Sequence, residues 1–160
     1  MKRRQAFTLT ELLVVISILA LLAGLLMPVI GRVRGASKRS ACTSNLRQVG
    51  VALRLYLDQS SNLFPSCCTL PSNPLGLPSI TATLAPYGAT PQLFRCPADL
   101  ADFQAEGTSY AWNELLNGGD AARDPLIMDL PVMSDYRRVH GEGPGGMNHL
   151  FRDGSVHALE

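Results

Sequence analysis

The chain has 160 residues, 46% of them hydrophobic and only 6% aromatic, with a net charge of +1. Near-neutrality hides a split: residues 1–57 hold nine Lys/Arg and one Glu (+8), and residues 58–160 hold five Arg and twelve Asp/Glu (−7). The basic residues fall on a predicted helical stem rather than beside aromatics on a folded surface, which argues against any need for nucleic acid and toward phospholipid head groups or acidic protein surfaces.

Residues 3–11 read Arg-Arg-Gln-Ala-Phe-Thr-Leu-Thr-Glu, and Leu12 to Gly31 carry no charge. Those 20 residues suffice to cross a bilayer. The acid at the mouth of the span, Glu11, is costly there, by a few kcal/mol near the bilayer centre and less toward the interface. A cleaved secretory signal has an apolar region of about 7–15 residues and a small-x-small site after it. This run is longer, and no Ala-x-Ala follows. A lipoprotein signal needs a cysteine after Leu22-Ala23-Gly24, where Leu25 stands. A plain signal anchor accounts for the length but not for Phe7 together with Glu11. Charge leaves the orientation open, because Lys2, Arg3 and Arg4 precede the span and Arg32, Arg34, Lys38 and Arg39 follow it.

Beyond the span, Cys42, Leu46, Val49, Leu53 and Tyr56 recur at spacings of 4, 3, 4 and 3, a one-sided helical stripe. The pattern predicts one helix from near Phe7 to near Asp58, roughly 75–80 Å long. About 100 further residues cannot bury such a rod, so its first half must meet lipid or copies of itself. Its second half packs on the head. Pro28, with Gly24 and Gly31, marks a bend or local melting. The expected organisation is a transmembrane half-helix ending at residue 31, an amphipathic stem (32–59) and a globular head (60–160).

Ten of the eleven prolines lie beyond Asp58. Ser60-Ser61-Asn62 ends the helix, and Pro65, Pro71, Pro74 and Pro78 rule out a long helix next. Strands are predicted at Ser109–Asn113, Leu126–Leu130, Met147–Phe151 and Ser155–Leu159. The last two flank Arg152-Asp153-Gly154, and Asp-Gly between strand-like runs favours a tight hairpin. The fold class is therefore α+β: a long N-terminal helix on a small antiparallel sheet, with Trp112, Tyr110, Phe94, Ile127, Phe151 and Val156 in the core.

The four cysteines, Cys42, Cys67, Cys68 and Cys96, allow three pairings. The one that joins adjacent Cys67 and Cys68 is strained and ranks last. No Cys-x-x-Cys spacing with a His partner points to zinc. Asp129, His140, His149, Asp153 and His157 are oxygen and nitrogen donors in the C-terminal third. The metal set drawn from them is Asp129, His140 and Asp153, although Asp153 is also explained by the hairpin turn. Calcium asks for six to eight oxygens, and no EF-hand spacing is present. No Gly-x-Ser-x-Gly elbow, His-Glu-x-x-His or phosphate-binding loop occurs, so no enzyme is expected.

The N-terminal block resembles the type IV prepilin signature, shared by type IV pilins and the pseudopilins of type II secretion. The resemblance covers about the first 60 residues. It implies a leader (1–6) removed by a prepilin peptidase between Ala6 and Phe7, a transmembrane half-helix that then runs over 7–31, and N-methylation of Phe7. Ala6 stands where the family usually has glycine. Glu11 becomes the fifth mature residue, implied to pair with the new amine of Phe7 and so to set the register of subunit addition. Pro28 becomes the twenty-second, where many members carry a helix-bending proline. The leader then faces the cytoplasm, and the head lies outside the inner membrane on a single-pass anchor.

A second resemblance rests on Cys42-Thr-Ser-Asn-Leu-Arg-Gln, Leu93-Phe-Arg-Cys-Pro-Ala-Asp, Ser109-Tyr-Ala-Trp-Asn and Asn148-His-Leu-Phe-Arg-Asp-Gly. Together these are similar to prepilin-type proteins that end in a His–nine residues–Asp-Gly domain. The matching positions are His140 and Asp153-Gly154, with twelve intervening residues rather than nine. This resemblance implies a Cys42–Cys96 pairing. The first also implies calcium as the metal to test in the head, since major pseudopilins often bind it; no other cofactor is expected. The implied function is a structural subunit of a type II secretion or type IV pilus-like filament. Its partners are the prepilin peptidase, other pseudopilins or copies of itself, an inner-membrane assembly platform and membrane lipid. The alternative is a membrane-anchored periplasmic binding module, with or without a metal, that does not polymerise.

Overall fold

A computed structural model describes residues 9–69, 76–99, 101–120, 130–135, 140 and 146–158. The chain divides into two compact units, Met1–Ala36 and Ser37–Glu160. Helix α1 (Leu9–Gln59) supplies the described part of the first unit and opens the second.

In the first unit the apolar side chains of α1 stand exposed, Leu12, Val14, Leu19, Leu22 and Leu26 among them. By length and composition this stretch can cross a membrane. The Ser17 hydroxyl donates to the Leu13 carbonyl at 2.8 Å, a back-bond one helical turn away that serine makes within helices. Pro28 lies inside α1, and residues 24–31 all stay helical. The local melting expected there is not seen. Proline removes one backbone bond, and the flanking leucines, good helix formers, keep the turn.

In the second unit the stripe of α1 turns inward: Cys42, Leu46, Val49, Gly50, Ala52, Leu53 and Leu57 are buried, and Tyr56 packs at the edge of the core. The helix ends where Ser61 (φ 54°) and Asn62 (φ 62°) enter the left-handed region. Their turn lets the Asn62 amide donate to the Leu57 carbonyl at 2.9 Å, which satisfies one of the orphan carbonyls of the last turn.

Among the described residues two short α-helices follow, α2 (Ile80–Leu84) and α3 (Ala101–Glu106). The Ser79 hydroxyl caps α2 by accepting from the Ala82 amide. The sheet is fully antiparallel in the order β1 (Tyr110–Trp112), β2 (Met133–Asp135), β3 (Asn148–Leu150), β4 (Val156–Ala158). Tyr110 faces Asp135, Met133 faces Leu150, and Leu150 faces Val156. The α+β architecture expected from the sequence is thus present.

Three of the four predicted strands hold their places. Residues 126–129 lie outside the described residues, as does Ile127, and Leu130 is in no strand. Strand β2 had no sequence signal, because Met-Ser-Asp neither alternates nor is β-rich. Phe94, Tyr110 and Trp112 are buried. Phe151 is not: it is only half-buried, one residue past β3, and Leu150 takes the inward position. Alternation along the strand decides this, with Asn148 and Leu150 inward and His149 outward. Val156 is half-buried and packs on the core.

Candidate functional site

Among the described residues of the N-terminal unit, Glu11 is the one acid. Glu11 lies in the first turn of α1, where the positive end of the helix dipole favours a carboxylate. Ala6 and Phe7, the residues of the implied cleavage, lie outside the described residues.

The head holds a buried polar cluster. Its frame is the Cys42–Cys96 disulfide, which joins α1 to the segment before α3 across 54 positions of sequence. Asn45 donates to the Arg95 carbonyl at 2.8 Å, and the Tyr110 hydroxyl donates to the Cys42 carbonyl at 3.4 Å. These contacts hold the cysteines and β1 together. At the end of β2, Asp135 is 1% exposed. Its Oδ2 accepts from the Asn148 amide at 2.7 Å and from Asn148 Nδ2 at 3.0 Å. Its Oδ1 has no hydrogen-bond partner among the described residues. His140 Nε2 stands 3.6 Å from Asp135 Oδ2 and 3.6 Å from Cys96 Sγ.

Burial dominates the electrostatics of this cluster. It pushes Asp135 up to about 6, against the pull of the Asn148 hydrogen bonds and of Arg39. It holds His140 below the usual imidazole range, and the positive charge of Arg39 adds to that. Burial, then the Asp135 charge, drives the Tyr110 phenol far up, so its hydroxyl remains a donor.

The residues singled out for metal binding do not gather as expected. Asp129 lies outside the described residues. Asp153 is exposed in the β3–β4 turn, where Oδ1 accepts from the Ser155 amide at 2.8 Å and that bond holds its carboxyl below the ordinary range. His140 keeps company instead with Asp135, Cys96 and Cys42. His149 accepts or donates at 2.7 Å to Ser134 Oγ on the other face of the sheet, opposite His157. Asp135 escaped sequence reasoning, since an isolated acid gives no sign that it will be buried. Asn148 opened one of the quoted head patterns, but its role as donor to Asp135 needs the fold. Cys67 and Cys68 are buried and lie in no disulfide.

The prokaryotic N-terminal methylation motif matches residues 1–27. The N-terminus is type IV pilin-like. Joined to the long apolar helix, the motif marks a membrane-anchored protein. The match ends inside α1 and says nothing of the pilin-like chain's head. No curated protein and no solved structure matches this chain.

Proposed function

We propose that this pilin-like chain is a structural subunit of a type II secretion or type IV pilus-like filament. The observation that carries the reading is the methylation motif at residues 1–27 running directly into an apolar helix whose large apolar side chains stand exposed among the described residues. Apolar area of that extent must be covered by lipid before assembly and by other helices after it. A prepilin peptidase cuts between Ala6 and Phe7 and methylates the new amine. An inner-membrane platform then draws subunits from the bilayer into a helical fibre, with heads outward. The basic stem and acidic head add attraction between neighbours. The role is structural, and no catalytic constellation enters it.

Mass spectrometry of the membrane-extracted protein tests the processing step. The expected N-terminus is methylated Phe7. A chain that still begins at Met1 would overturn the reading. Electron microscopy and cross-linking of overproduced protein test polymerisation: ladders and fibres are expected, whereas monomers alone indicate an anchored module.

A further inference from the structure

Two patches of the second unit turn apolar side chains to solvent beside exposed charges. The first is a groove of about 330 Å³ between α1 and the β3–β4 turn, lined by Arg47, Val51, Arg54, Leu55, Asp153 and Gly154. Arg47, Val51 and Leu55 are spaced by four and so lie in one line along the helix, off the stripe that sends Cys42, Leu46, Val49 and Leu53 into the core. Val51 is 62% exposed and Leu55 48%, and both arginines are exposed. The second patch is the one-turn 3-10 helix Glu114–Leu116. Asn113 caps it by accepting from the Leu115 amide at 3.2 Å, and its own amide group donates to the Pro131 carbonyl at 3.0 Å. Leu116 is fully buried, so the turn thrusts Leu115 outward, at 83% exposure. Beside it the exposed Glu114 accepts from the Thr69 amide through Oε1 at 3.3 Å, which fixes where its charge stands.

We propose that the turn of one copy docks into the groove of the next, Leu115 against Val51 and Leu55 and Glu114 against Arg47. The inference rests on the filament reading and names a head contact within it. Charge complementarity selects a second copy as the occupant. The knob joins an apolar side chain to an acid, and the groove joins apolar side chains to cations. The groove arginines belong to the basic portion of the chain and Glu114 to the acidic portion. Arg54 also borders a second pocket with Asp58 and Arg152, which makes Arg47 the partner for Glu114. The two patches lie at opposite ends of the sheet. The order β1-β2-β3-β4 puts the turn after β1 at one edge and the β3–β4 hairpin at the other, roughly 14 Å apart at ordinary strand spacing. Two different patches on one chain make a head-to-tail contact, and such a contact propagates as an open helical chain where it does not close into a ring.

Glu114→Arg, Arg47→Glu and the double variant are made in the full-length protein and overproduced beside the wild type, with Trp112 fluorescence reporting that each folds. Each single reversal sets like charges against each other and should raise the critical subunit concentration for fibre formation by about fivefold or more, and the double variant should return it to within about twofold of the wild type. Rescue by the double variant is a readout that a purely structural role for either residue would not give. Leu115→Cys/Val51→Cys, treated with a short bismaleimide, should give a ladder that runs past the dimer, and each single-cysteine variant should give none. Three results would each overturn the contact while leaving the filament reading intact: wild-type fibres matched by both single reversals, a double variant that assembles no better than its single parents, or cross-linking that stops at two. Absence of fibres from wild-type protein cut before Phe7 would overturn the filament reading, and this contact with it.

Discussion

At Gly50 a Cβ would stand 2.9 Å from Leu150 Cδ1 and 3.5 Å from the Gly154 backbone. The absence of a side chain lets α1 approach the β3–β4 hairpin closely. Helix propensity alone favours replacing this glycine with alanine, by about 1 kcal/mol. Overpacking a filled core costs about 1–3 kcal/mol, and Leu150 is fully buried. For Gly50→Val the steric side wins. A loss of about 2 kcal/mol is expected, measured by denaturant unfolding followed through Trp112. Nothing in the sequence marked Gly50, since a glycine within a helical stripe reads the same whether it is crowded or open. The aromatics were easier: Tyr110 and Trp112 announced a core because rings of that size have few other places to go. The two cysteines outside the disulfide give a second test. Burial, then Cys68 and Glu114, pushes the Cys67 thiol far up. A neutral, buried thiol does not attack an alkylating reagent. The native, disulfide-intact protein should take up no iodoacetamide at pH 8 over minutes, and the urea-unfolded protein should take up two equivalents. Rapid native labelling would show that Cys67 and Cys68 are open to solvent.

The β3–β4 hairpin turns through Gly154 at φ 83°. Phe151 and Ser155 pair across it, with the Phe151 amide donating to Ser155 at 2.9 Å and the Gly154 amide to Phe151 at 3.0 Å. This is a three-residue loop with glycine at its left-handed position. A side chain there costs roughly 1–2 kcal/mol. Gly154→Ala should raise hydrogen exchange in β4 while leaving the α1 core amides near Val49 protected. Equal acceleration in both would mean that the hairpin and the helix unfold together. The hairpin and the long helix were legible because each repeats a local rule: Asp-Gly between strand-like runs, and apolar residues at spacings of 3 and 4. Strand β2 was not. Three residues after Pro131 have too little length for a period, and they become a strand because β1 and β3 offer hydrogen-bonding edges on both sides. The buried Asp135–Asn148 pair was illegible for the same reason, since its partners meet only across that sheet.

Taken whole, the chain concentrates its positive charge in residues 1–57 and its negative charge in residues 58–160, +8 against −7. Within this layout Glu11 is the exception, the one acid in the basic portion. A carboxylate among apolar side chains is costly unless an opposite charge offsets it. The apolar stretch from Leu12 to Gly31 carries no charged residue. Under the filament reading the offset comes from an amine made by cleavage before Phe7, and attraction between unit charges grows several-fold as the medium passes from water to a protein-like interior. That dependence makes the pair a sensor of register. A subunit out of step leaves both charges unmatched in a poorly polar setting. Glu11→Ala removes the carboxylate without touching Ala6 or Phe7, so the mature mass should still show a methylated Phe7, while the critical subunit concentration for fibre formation should rise by about tenfold or more, equivalent to about 1.4 kcal/mol or more per added subunit. Glu11→Gln separates charge from size, since it keeps the shape and loses the attraction. It should assemble as poorly as the alanine variant. If it forms fibres at the wild-type level, hydrogen bonding rather than charge sets the register, and if both variants do so, Glu11 has no part in assembly.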